Sequence, residues 1–347
     1  MATNFISTAT IQAVQNYWEK RWMDQDQRDW RTPLADNSLG IPATIPKNRG
    51  QYVEFRKFDH FGAADTLFAE NAEPASGEAL VTTTIQVPVK EMVAYVGLGN
   101  LLKMTDPIDL MNKCMDMLRV GFRRGAHRIT NNALVNSFVE TVHGVSFNNS
   151  PLPTMFAGNL AGFGSLVEDS YHTMMDFKRA RSRMENDGVP KPFPEGYCAV
   201  ISSAIRDQLM DDDENFRDII KRIPSQSMKT FGNLEMPVYE GLVWKIQDDE
   251  YRCNLLGDGG ALATRADTGR VHVAHVLGKG AYGYVEIAGT RRLSPQFKVQ
   301  DITITGFETT IGARIPFMAG VLDPDFGINI AGTTKYYQGV NGDITVV

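Results

Sequence analysis

The sequence has no surplus of positive charge. Lysine and arginine number 35 against 41 aspartates and glutamates, which leaves a formal net charge of −6. A protein that grips a polynucleotide draws most of its affinity from neutralised phosphates and carries a basic stripe to do so. If this chain lives beside nucleic acid, it contains the polymer and does not grip it. Cysteine is scarce as well. Cys114, Cys198 and Cys253 are odd in number and show no paired spacing, which excludes a disulfide framework and suits buried thiols in a reducing compartment. Long apolar runs are missing: none approaches the ~18 residues that a membrane-spanning helix needs. The opening MATNFISTATIQAVQ lacks the basic region followed by an apolar run that marks a secretory signal, so synthesis in the cytosol is expected. There is no internal repeat and no low-complexity segment.

What is present suits an α+β protein. With 347 residues, 43% of them hydrophobic, the chain can bury one core and an appended second lobe. Its 31 glycines and 16 prolines favour many strands and turns over a helical bundle.

Residues 1–45 read as an arm. Ile11, Val14, Trp18 and Trp22 recur at helical spacing, and Trp30 follows. Three of four tryptophans in the first 30 residues are expected to anchor on the body or on a neighbouring subunit. Next, QYVEFRKF alternates as a half-buried strand, and VTTTIQVPVKEMV reads as a second one, with Ile85, Val87 and Val89 on one face. Between them lie about two dozen residues, too many for a plain hairpin loop and too apolar for disorder. Phe58, Phe61, Leu67 and Phe68 give this protruding hairpin a greasy rim that wants a partner.

The clearest helix signal begins at Asp106, a good N-cap, and Pro107, a good first helical residue. Ile108, Met111, Met115, Leu118, Phe122, Ala126, Ile129 and Ala133 step by three or four. Continued through Phe138 to Val142, the spacing predicts about 36 residues, or ~54 Å of helix. Arg119, Arg123 and His127 fall on the opposite face, with Arg124 and Arg128 beside it; that face is either solvated or paired with acids of an adjacent subunit. Gly121 and Gly125 suggest a bend or a close backbone approach. From 144 to about 280 helices and strands mix. YCAVISSAIRDQLMDDDENFRDIIKRI reads as a buried strand followed by helices, with Asp211–Glu214 an acidic helix start. HVAHVLGKGAYGYVEIAG reads as strand returning to the first region.

Several motifs invite a catalytic reading. Gly278–Val285 is a literal GxGxxGxV and Asp325–Gly327 a literal DFG. Kinase chemistry needs a large lobe between these parts and a catalytic-loop aspartate, and the short stretch separating them holds no His-Arg-Asp. A dinucleotide fingerprint would open a helix, whereas VEIAG continues as strand. His272 and His275 are three apart, so on a strand they face opposite ways and one ion cannot easily take both. No catalytic constellation, cofactor site or metal site emerges.

Residues 43–143 carry a resemblance. PKNRGQYVEFRKF is followed by Leu67 to Glu70 with Pro74 and Gly77, then TTTIQVPVKEMVAYVGLGNLLKMTDPIDLM and the long helix. In that order they resemble the coliphage N-four-like major capsid proteins of tailed bacteriophages, a family assigned to the Hong Kong 97-type capsid fold. AVISSAIRDQL and VLGKGAYGYVEIAG resemble two further stretches of it. Asn71 stands where the family usually has glycine, and the segment after about 295 departs from the family's pattern.

The resemblance implies an N-terminal arm at 1–45, with Trp18, Trp22 and Trp30 as anchors, and an E-loop hairpin at 46–98, with Phe58, Phe61, Leu67, Phe68, Glu70 and Pro74 at an assembly interface. It further implies a peripheral domain at 99–149 whose spine helix carries Arg119, Arg123, Arg124 and Arg128 on its polar face, an axial domain at 150–280, and returning strands with a C-terminal tail at 281–347. The implied function is that of a non-enzymatic major capsid protein in the virion, without cofactor. It would assemble with itself as hexamers and pentamers into an icosahedral shell enclosing double-stranded DNA, without specific DNA binding and without membrane. Implied partners are a portal and a decoration or cement protein. Because fold-like sequence begins near residue 45, a separate scaffolding protein, or none, is expected. The rival readings are an encapsulin-like compartment shell, a nucleotide-binding enzyme using 278–285, and a viral tail or neck protein.

Overall fold

The structure, a computed structural model, describes residues 31–35, 39–45, 52–58, 81–99, 110–142, 145–222, 238–287, 296–301, 308–338 and 344–346. In chain order the strands are β1 (Ile41–Ile45), β2 (Tyr52–Phe58), β3 (Thr82–Pro88), β4 (Glu91–Gly99), β5 (Phe138–Val142), β6 (Val145–Asn149), β7 (Thr154–Phe156), β8 (Tyr197–Ser202), β9 (Val238–Tyr239), β10 (Leu242–Gln247), β11 (Tyr251–Cys253), β12 (Val271–Leu277), β13 (Tyr282–Ile287), β14 (Gln296–Asp301), β15 (Glu308–Pro316), β16 (Met318–Val321), β17 (Gly327–Gly332), β18 (Tyr336–Gln338) and β19 (Ile344–Val346). The α-helices are α1 (Leu110–Val135), α2 (Met174–Asn186), α3 (Ser203–Asp212) and α4 (Glu214–Arg222).

The centre is a seven-stranded sheet in the order β7-β17-β12-β8-β10-β9, with β11 pairing β12 off that path. Every residue of β8, β10, β12 and β17 is buried, as expected of strands covered on both faces. One cover is α2, α3 and α4, whose Phe177, Ala180, Ile205, Leu209 and Phe216 pack with Trp244 of β10. The rings of Phe177 and Phe216 each lie 5.1 Å from that of Trp244. The second packing cluster joins α1, through Phe122, Ala126 and Leu134, to Cys198 and Val200 of β8 and to Tyr282 and Tyr284 of β13.

Local chemistry explains where the α2 segment starts and stops. Thr173 and Asp176 form a reciprocal capping box at its start. At its end Gly188 has φ +67°, and Val189 N–H reaches the Met184 carbonyl at 3.0 Å. That is a Schellman ending, with Val189 and Met184 both in the core. Asp213 accepts from the backbone of Asn215 and Phe216 and so starts α4, in line with the acidic helix start read from the sequence.

The long helix is shorter than its periodicity predicts. α1 ends at Val135, and Phe138–Val142 is a strand of a hairpin with β6. The run Phe-Val-Glu-Thr-Val favours a pleated surface, so the pattern changes period there, a switch hidden because Phe138 and Val142 also fit helical spacing. Asn149 pins the helix end, donating to Ala133 O at 2.7 Å and accepting from Val321 N–H at 2.8 Å. Asp106 and Pro107 lie outside the described residues. Gly121 has open space where a Cβ would stand, and at Gly125 the nearest atom to such a Cβ is Met92 Sδ at 3.4 Å.

The expected second strand is two strands in different sheets. β3 pairs with β2 and ends at Pro88, whereas β4 pairs with β15. Proline has no N–H for the ladder, so the ribbon stops there and the chain changes partners. α1 packs on the sheet β14-β15-β4 through Met92, Ala94, Ala313 and Ile315.

Candidate assembly elements and the helix–sheet junction

β2 and β3 form a ribbon of their own, and its burial changes along its length. Val87 and Pro88 are buried, Ile85 and Gln86 are half-buried, and Thr82, Thr83 and Thr84 are exposed. Along β3, exposure therefore rises from Pro88 towards the end where Thr82 pairs with Phe58. β2 nevertheless stays on the body: Val53 and Phe55 pack with Val87, Val285 and Met318, and Lys57, opposite Thr83 beside that end, reaches the buried Asp323 at 2.5 Å. Phe58 closes the ladder opposite Thr82. Phe61, Leu67, Phe68, Glu70 and Pro74 lie outside the described residues, as do Trp18, Trp22 and Trp30.

Of the segment read from sequence as an arm, residues 31–35 and 39–45 are described and pack on the body. Arg31 grips Asp248 through its backbone N–H and its guanidinium, both at 2.7 Å. Leu34 and Leu39 are buried, Tyr282 Oη donates to Leu34 O at 3.1 Å, and β1 lies parallel to β13.

The arginines of α1 divide. Arg119 pairs with Asp116 on its own helix and lies over the Phe297 ring, and Arg123 is exposed. Arg124 and Arg128 are half-buried and converge on the buried Asp249, their Nε atoms at 2.8 and 2.5 Å from Oδ2. Arg265 Nη2 meets the other oxygen at 3.0 Å. Burial alone would push the Asp249 carboxyl up, but Arg128 and Arg124 outweigh it and hold it below the ordinary range. Hydrogen bonding to Asp249 raises Arg128 in turn.

Beside this clamp lies a buried polar network that the periodicity did not reveal. His127, grouped with the polar face by spacing, is wholly buried. Asn131, one turn on, donates to the carbonyl of Asp249 at 3.0 Å, contacts His127 Nε2 at 3.1 Å and accepts from His275 Nε2 at 2.8 Å. His275 Nδ1 lies 2.8 Å from Asn329 Oδ1, while Asn329 Nδ2 donates to Leu134 O at the end of α1. On the other face of β12, His272 Nδ1 meets Glu250 at 2.8 Å, and His172 Nε2 meets the carbonyl of His272 at 3.1 Å. The sequence signal was slight: His127 and Asn131 stand one turn apart on the face that spacing gives to Arg119 and Arg123.

Burial pushes His127 down to about 3 and His172 to about 4. Geometry agrees. Nδ1 of each is buried without a partner, and protonated His127 would aim a second N–H at the Asn131 amide. His275 is also depressed by burial, to about 4, yet both its nitrogens face acceptor oxygens. Burial raises Cys198 and Cys253 to about 12, which makes both thiols inert.

The glycine-rich motif is a corner between sheets. β12 belongs to the seven-stranded sheet and β13 to the sheet β1-β13-β16; Gly278–Ala281 joins them. Gly278 N–H donates to Phe326 O at 2.8 Å and Lys279 N–H to Pro190 O at 2.9 Å, so these amides are committed to the chain and are not offered to a phosphate. A Cβ on Gly278 would stand 2.4 Å from Val189 Cγ1, and Gly280 has φ +88°. The DFG lookalike supplies the carbonyl that receives the first of these bonds.

No protein-family model and no curated protein matches the sequence. Solved structures do match in fold. The capsid of Ralstonia phage GP4 is 14% identical with a TM-score of 0.62, over 91% of this chain and 95% of that one. The cyanophage Pam1 capsid is 14% identical with a TM-score of 0.63, over 96% and 99%. The head of Helicobacter pylori bacteriophage KHP40 is 10% identical with a TM-score of 0.55, over 86% and 88%. The chain has the Hong Kong 97-type capsid fold.

Proposed function

We propose that this chain is the major capsid protein of a tailed bacteriophage, a structural subunit that assembles as hexamers and pentamers into a shell around double-stranded DNA. The observation that carries the reading is a fold shared with phage capsids over about nine-tenths of the chain. With a net charge of −6, the subunit encloses DNA without gripping it. The buried polar atoms at the helix–sheet junction are bonded across elements and hold them together, which fits a structural role.

The finer identity, a coliphage N-four-like member, rests on the ordered stretches in residues 43–143. A portal, a separate scaffolding protein and a decoration protein belong to the same reading, as do synthesis in the host cytoplasm and residence in the virion. In it, Phe58, Phe61, Leu67, Phe68, Glu70 and Pro74 contact the adjacent subunit, and Trp18, Trp22 and Trp30 anchor the arm.

Electron microscopy of the purified assembly, with a nuclease-protection assay for its contents, is the test. Icosahedral shells protecting DNA are expected; rings, tubes, DNA-free compartments or a stable monomer would each overturn the reading. Replacing Leu67 and Phe68 with aspartate should leave folded subunits and no shells.

A further inference from the structure

The sheet β14-β15-β4 has two outer strands, and only one is guarded. β14 is six residues long and carries Lys298 and Asp301, the kind of charge that keeps an edge from pairing with strangers. β4 is nine residues long, EMVAYVGLG, with no lysine, arginine or proline and a single charge at its first position. All nine residues pair with β15, from Glu91 opposite Pro316 to Gly99 opposite Glu308. Among the described residues no strand lies on its other side. Met92 and Ala94 turn inward to the core, while Val93 and Tyr95 project outward at 67% and 77% exposure, Tyr95 being the most exposed large apolar side chain among the described residues.

We propose that the edge of β4 away from β15 pairs antiparallel with β4 of a second copy about a local two-fold axis, joining two three-stranded sheets into one continuous sheet. An unpaired edge presents alternating N–H and C=O groups, so its natural occupant is an extended strand. The sequence of β4 is complementary to itself. Centred on Tyr95, the antiparallel register sets Glu91 against Gly99, Met92 against Leu98, Val93 against Gly97 and Ala94 against Val96. No like charges oppose each other. Outward positions fall only on outward positions, so Val93 and Tyr95 of both copies share one face. A two-fold contact of this kind closes on itself, as an isologous interface must. The inference rests on the shell reading in that a shell brings many copies together.

The test places one cysteine at the centre of the register. Directly opposed residues of an antiparallel pair have Cβ atoms ~4.5–5.5 Å apart, within reach of a disulfide or a short bis-maleimide. In a Cys114→Ser background, Tyr95→Cys in assembled particles should convert most of the subunit to a dimer on a non-reducing gel. Val139→Cys, a site 69% exposed on β5, should stay monomeric. Val93→Lys with Tyr95→Lys should leave the circular dichroism of the soluble subunit unchanged and lower shell yield at least tenfold. Intact particles whose Tyr95→Cys subunits stay monomeric would overturn the pairing and leave the shell reading standing. Should the wild type form no particles, the shell reading falls, and crosslinking of the soluble protein at high concentration decides the pairing alone: a Tyr95 dimer upholds it and a monomer overturns it.

Discussion

Acid should loosen the subunit well above the pH at which its carboxylates protonate. His127 and His172 have folded values of about 3 and about 4 against an ordinary 6.5. A folded value below the unfolded one means that the unfolded chain takes up protons first. The stabilisation is therefore complete above about pH 6.5 and is lost progressively as pH falls towards 4 and 3. At pH 5 each histidine costs 1.5 pH units of linkage, about 2 kcal/mol at ~1.36 kcal/mol per unit, and the two together about 4 kcal/mol. His275 is left out of that sum because a protonated ring there would find an acceptor at each nitrogen. Asp249 does not contribute in this window, since its depressed value places its loss below the usual carboxylate range. Against a typical total of 5–15 kcal/mol, the effect is large. Urea unfolding of the soluble subunit followed by tryptophan fluorescence, at pH 7.5 and pH 5, should show it. The double variant His127→Leu, His172→Leu should lose about 4 kcal/mol of pH dependence, whatever its stability at neutral pH. A variant with the pH dependence of the wild type would refute the reasoning.

Other outcomes follow from the same geometry. Asp249→Asn removes the charge on which Arg124, Arg128 and Arg265 converge. Because Arg124 and Arg128 are about a third exposed, the loss should be about 2 kcal/mol and not the full cost of an orphaned buried ion, readable as a lower Tm. Gly278→Ala drives a Cβ against Val189 and should destabilise by about 1–3 kcal/mol; adding Val189→Ala should recover part of that in the same thermal scan. Phe216→Ala, which empties the space beside Trp244, should cost about 3–5 kcal/mol in a urea titration.

The sequence was most informative where local chemistry and burial agree. The buried strand ending in Ser202 and the helix it opens were legible because Ser202 accepts from Ile205 N–H, a bond made within four residues. The alternation of Val53 and Phe55 against Glu54 and Arg56 marked β2 for the same reason. The end of α1 was illegible because Phe138 and Val142 satisfy two periods at once; the sheet partner, β6, chose between them. Pro88 could have signalled the break between β3 and β4, but only the pairing of β4 with β15 shows where the chain goes next.

What the sequence determined alone is therefore the class of the protein: an α+β chain with a long apolar-striped helix and no surplus of positive charge. What only the tertiary structure decided is which polar side chains face one another. Arg124 and Asn131 of α1, Asp249, His275 of β12 and Asn329 of β17 are spread over about two hundred residues. A polar residue on a helix stripe looks the same whether it meets solvent or a buried carboxylate, because the partner that makes its burial tolerable is supplied by the fold.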